Sequence, residues 1–147
     1  MERISMGGDS RAENRLGMSF SITRGRLLVY HATIRELGEP GYIRFLYNDG
    51  KRRVAVQCCE KIDKEGFRVP KAYQGERFQF EINSSPWLSV IYKKCGWDIE
   101  QSYSVTGVSY PEHRLVEFRL DNAKKIAPAQ FVDPENLDAM SADISAV

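Results

Sequence analysis

Apolar and polar positions change period several times along the chain, and each change marks an element. Phe20 and Ile22 alternate with Ser19, Ser21 and Thr23, the period of a strand with one buried face. After Arg24-Gly25 the run Leu27-Leu28-Val29-Tyr30 leads into a short helix over residues 31–37. Gly38 suits the left-handed residue that ends a helix, and Pro40 prevents its continuation. Residues 42–47 and 54–58 then form a hairpin around Asn48-Asp49-Gly50, a strong local turn signal. Residues 61–75 are polar and broken by Gly66, Pro70 and Gly75, a connector with room for a short strand at 67–69.

The same succession then returns. Phe78, Phe80 and Ile82 alternate as a strand, and Asn83-Ser84-Ser85-Pro86 supplies a serine cap and a first-turn proline. Residues 87–95 make a helix with Leu88, Ile91 and Cys95 at helical spacing, stopped by Gly96. Residues 103–105 and 115–120 read as a second hairpin, closed by the longer loop 106–113. At a shift of 58 residues Phe20 falls on Phe78, Ile22 on Phe80, Arg35 on Lys93, Leu37 on Cys95, Gly38 on Gly96 and Phe45 on Tyr103. Either two unrelated strand–helix–hairpin stretches coincide, or the chain is an internal duplication. The second reading gives a β-rich α+β domain over residues 18–120, made of repeat 18–59, connector 60–76 and repeat 77–120. Residues 1–17 read as a flexible arm. Residues 121–147, poor in apolar side chains and with 5 acidic residues against 2 lysines, read as a mostly mobile acidic tail with a short helix over 134–140.

Composition narrows the class without naming it. A chain of 147 residues with 42% apolar and 28% charged residues is an ordinary globular protein, large enough for one sizeable core. The net charge of +1 hides an asymmetry. Residues 1–75 hold 14 Lys/Arg against 9 Asp/Glu, about +5, and residues 76–147 hold 7 against 11, about −4. A cationic half either favours phosphate contacts or pairs with the acidic half. No run of 18 apolar residues offers a membrane span, and residues 1–17 lack the apolar stretch of a signal peptide. Three cysteines, two of them the adjacent Cys58-Cys59, suit reduced thiols and a cytoplasmic protein.

The phrase Gly25-Arg26, Leu27-Leu28-Val29, a short helix, Leu37-Gly38 and the Asn48-Asp49-Gly50 hairpin resembles the swapped-hairpin domain of AbrB-type (SpoVT/AbrB) regulators and antitoxins. The resemblance covers roughly residues 18–58, with a looser second copy at 77–120. It implies a barrel built from two such units whose hairpins interlock, here an intramolecular pseudo-dimer that is either monomeric or pairs again as a homodimer. It also implies a small prokaryotic DNA-binding transcription regulator, or an antitoxin-like protein, with double-stranded DNA as partner. The family's DNA-facing arginines transfer to Arg26 and Arg35. Tyr30 stands at the family's proline, Ile34 at the first helix arginine, and Asn83-Ser84 where a second Gly-Arg belongs. Any nucleic-acid surface is therefore lopsided and centred on Arg26.

Arginine chemistry extends that set. A guanidinium is a rigid fork of donors suited to phosphate oxygens or the acceptor edge of guanine. Arg24 and Arg26, two apart, point to one face of an extended segment. Arg11 and Arg15 on the arm add salt-dependent phosphate contacts, and Lys51-Arg52-Arg53 after the turn is an auxiliary basic run or a solvated one. The acidic tail, through residues 131–137, offers a site for a protein partner, and the rival reading is a protein–protein interaction module that has lost DNA binding. Catalysis is not expected. Cys58, Cys59 and Cys95 sit in apolar patterns without an adjacent base, and with distant His31 and His113 they do not make a zinc set. No metal or other cofactor is implied, and no phosphate-binding loop or nucleophile elbow is present.

Overall fold

A computed structural model describes residues 16–70 and 80–135. The first alternating run becomes a hairpin: β1 (Gly17–Ser21) turns at residues 22–25 into β2 (Arg26–Val29). Helix α1 (His31–Glu36) follows, then β3 (Tyr42–Asn48), β4 (Arg53–Cys58) and the short β5 (Phe67–Arg68). The second stretch contributes β6 (Phe80–Asn83), α2 (Ser85–Cys95), β7 (Ser102–Tyr110), β8 (Leu115–Arg119) and β9 (Lys124–Ile126). Both helices stop at glycines in the left-handed region, Gly38 at φ 84° and Gly96 at φ 65°, where a side chain is strained.

All strand pairs are antiparallel, in the order β5-β3-β4-β8-β7-β1-β2-β6, with β9 added to β7. The result is a strand-rich α+β fold, a curled half-barrel sheet accompanied by α1 and α2. Its concave side gathers Phe20, Leu27, Val29, Ile43, Val56, Ile82, Val105 and Phe118 with Leu88, Ile91 and Tyr92 of α2 into one core. Tyr92 ties α2 to the sheet through its hydroxyl, which reaches the carbonyls of Gln101 at 2.7 Å and Phe20 at 3.2 Å. Burial pushes that hydroxyl's pKa up to about 12, so it stays a donor.

Three expectations change. β1 is not half-buried: Ser19 and Ser21 are fully enclosed, because the sheet's convex side is also covered, and Ile22 falls in the turn. The second hairpin has a short connection at 111–114, since β7 runs on through residues expected to be loop. Gly107 permits this. A Cβ there would lie 2.6 Å from Val116 Cγ1 and 2.7 Å from Phe118 Cε1. The glycine that reads as a loop residue is a strand position against which β8 packs.

The third change concerns the segment expected to be a mobile tail. Residues 121–135 belong to the fold: β9 pairs with β7, and Phe131 is 1% exposed against Leu28 and Tyr30. Two well-placed apolar residues, Ile126 and Phe131, suffice to dock a segment of low apolar content. Phe78 and residues 136–147, with most of the expected 134–140 helix, lie outside the described residues, as do residues 1–15 of the expected arm.

Gly107→Ala forces Val116 and Phe118 to shift in a filled core. A loss of about 1–3 kcal/mol in unfolding free energy is expected by denaturant titration, with the slope unchanged.

Candidate nucleic-acid interface

Alternation along β2 sends Leu27 and Val29 into the core and places Arg26, Leu28 and Tyr30 on the convex side. Across that side runs a strap formed by residues 124–135. Phe131 seats on Leu28 and Tyr30, and the Tyr30 hydroxyl bonds the buried Ser19 hydroxyl beneath it. Burying one phenylalanine contributes about 2–3 kcal/mol, the largest apolar anchor the strap has.

Beyond Phe131 the strap ends on α1. Tyr30 occupies the position that caps this helix, and its side chain makes no capping bond. Asp133 supplies the cap from 102 residues away, its Oδ2 accepting the His31 N–H, while its Oδ1 accepts Glu135 N–H at 2.9 Å. A carboxylate at a helix start satisfies an otherwise orphan donor and complements the helix dipole. Asp133 is 1% exposed, and burial outweighs its two backbone donors, pushing its carboxyl above the ordinary carboxylate range.

The arginines border this strap. Arg24 holds its guanidinium 5.1 Å from the centre of the Phe131 ring and reaches the Pro128 carbonyl at 3.4 Å. Arg35 donates to Glu135 Oε1 at 2.8 Å, and the second Glu135 oxygen is enclosed with no hydrogen-bond partner among the described residues. Arg26 pairs with Glu81 on the neighbouring β6 at 3.3 Å. The Arg35 and Arg26 side chains remain 44% and 49% exposed, so each of these pairs contributes about 0–1 kcal/mol. Arg24 and Arg26 do not share an extended segment as expected, because residues 22–25 form the turn. They meet the same side of the sheet nonetheless, Arg24 through the strap and Arg26 through β2.

The other basic residues stand apart. Lys51 and Arg52 lie in the β3–β4 turn, where Lys51 N–H bonds Asn48 Oδ1 and Arg52 carries the positive φ of 52°. Arg53 opposes Arg119 across the ladder and reaches Glu117 at 3.5 Å. Arg53 engages β8, away from the strap residues Pro128, Phe131 and Glu135 that Arg24 and Arg35 meet. Arg11 and Arg15 lie outside the described residues.

Sequence reasoning missed Asp133 and Glu135 as partners of α1, and Glu81 as the partner of Arg26. The one available signal was Phe131, a large apolar residue between Pro128 and Pro134 in an otherwise polar stretch. Burial raises the Cys59 and Cys95 pKa values, which keeps these groups as thiols. Among the described residues no cluster of His, Cys, Asp and Glu is placed to hold a metal ion, and no helix is long and apolar enough to cross a membrane. The chain matches no family model, no curated protein and no solved structure.

Asp133 gives the strap a pH signature. Its folded pKa is raised, so its contribution to stability is complete below the ordinary carboxylate range and declines as pH rises through the folded value. The thermal midpoint of Asp133→Asn relative to the unaltered chain should therefore rise between about pH 4 and about pH 7. A flat difference would assign the titration to another group.

Proposed function

We propose that this protein is a small AbrB-like DNA-binding regulator, or an antitoxin-like protein, that contacts duplex DNA through its basic first unit. The carrying observation is that Arg24, Arg26 and Arg35 border one side of the sheet, two of them with side chains nearly half exposed. Acidic and aromatic strap groups engage Arg24 and Arg35 there, the kind of partner that phosphates and bases would replace. The finer architecture in this reading is a swapped-hairpin-like barrel, an intramolecular pseudo-dimer. Strand pairing supports it: β2 and β6, which each precede a helix, pair with each other, and so do β4 and β8, the second strands of the two hairpins. The function places the protein in the cytoplasm, without an enzymatic role.

A second reading has its own observation. Each of the three arginines already has a partner within the chain, two of them carboxylates. This favours an interaction module on the same barrel that has lost DNA binding, with the basic face shaped for an acidic protein segment.

Duplex DNA binding, measured by fluorescence anisotropy across a salt series, separates the two. The proposal expects affinity to fall steeply with salt, and Arg26→Ala to make the slope shallower by about one unit. Glu135→Gln, which removes the carboxylate charge facing Arg35, should strengthen binding. Absence of binding even near about 50 mM salt, where counterion release is strongly favourable, selects the interaction module.

A further inference from the structure

A cleft away from the strap carries chemistry that DNA recognition does not use. It holds about 300 Å³ and is lined by Leu27, Phe45, Glu65, Phe67, Ser84 and Trp87. That volume is at the lower end for small-ligand sites. Three of its walls are aromatic. The Phe45 ring lies 5.4 Å from Phe67 at 61° and 5.3 Å from Trp87 at 42°, and Tyr47 backs Trp87 at 6.3 Å and 69°. None of these pairs is parallel, so the rings turn surfaces in several directions. Leu27, 1% exposed, closes the floor.

Two polar groups in this apolar lining have no bonding duty among the described residues. Glu65 makes only a backbone bond, its N–H to Asp63 Oδ1 at 2.9 Å, and its carboxylate enters no ion pair. Ser84 occupies the capping position of α2, yet its hydroxyl makes no capping bond. Aromatic faces and a carboxylate both attract positive charge, whereas the apolar walls reject a strongly hydrated cation. One carboxylate is also too few donors for a metal ion. An alkylated ammonium group satisfies both demands: its charge is spread over methyl groups that pack on rings and shed water easily.

We propose that this cleft binds a trimethylammonium group, with Trp87, Phe45 and Phe67 as the walls and Glu65 as the counter-charge. The chemistry has two sources, a free small molecule such as choline or a trimethylated lysine side chain on another protein. The proposal is independent of the DNA reading.

The test uses the full chain and follows the Trp87 indole resonance by NMR, identified by its loss in Trp87→Phe. Tetramethylammonium, choline and a short trimethyl-lysine peptide are each titrated beside 3,3-dimethylbutanol, the uncharged isostere of choline. Saturable shifts are expected, with the isostere at least about tenfold weaker than choline. Glu65→Gln, an exposed substitution, should weaken binding several-fold. Tighter binding of choline or of the peptide tells which source the cleft serves. Equal binding of choline and its neutral isostere, or no response of Trp87 to any cation, overturns the proposal.

Discussion

The fold depends on one strand. β7 pairs with β1 through residues 102–106 and with β8 through residues 107–110, while β9 takes the free side of residues 102–104. It therefore joins the β1–β2–β6 part of the sheet to the β3–β4–β8 part. The switch of partner falls at Gly107, the position where a side chain would collide with Val116 and Phe118. The missing side chain lets Val116 and Phe118 of β8 pack closely on the strand where its partner changes.

The second constraint is that β1 and β2 are covered on both sides. Their concave face meets the core and their convex face meets the strap, which is why Ser19 and Ser21 are enclosed as fully as Phe20. Buried hydroxyls need partners. Ser19 finds the Tyr30 hydroxyl and Ser21 finds Thr23. The same strap caps α1 through Asp133 and reaches Arg35 through Glu135, so helix, strand and basic surface share one stabilising segment.

Locally encoded features were legible in the sequence. The Asn48-Asp49-Gly50 turn, the stops at Gly38 and Gly96 and the Pro86 helix start all depend on a few adjacent residues, and all appear. Partner choice was not legible, because a period of two says which face is apolar and nothing about which strand lies alongside. Gly107 misled for that reason: its role depends on β8. The arginines could be named from sequence, but their partners could not. Glu81 and Glu135 lie 55 and 100 residues away from Arg26 and Arg35, and Asp133 lies 102 from the helix it caps. The aromatic cleft was hidden in the same way, since only the pairing of β3 and β5 brings Phe45 and Phe67 to Trp87.

The position of β1 also sets an order of events during synthesis. β1 lies between β2, which follows it at once, and β7, more than 80 residues later. Until β7 emerges from the ribosome, the β1–β2 hairpin has an unpaired edge, and a lone two-stranded hairpin is marginal in water. Closing so long a loop is slow compared with forming local helices. The first half of the chain therefore waits, apolar face exposed, for the second half to complete it, and that interval is when the nascent protein is most open to aggregation or to a chaperone.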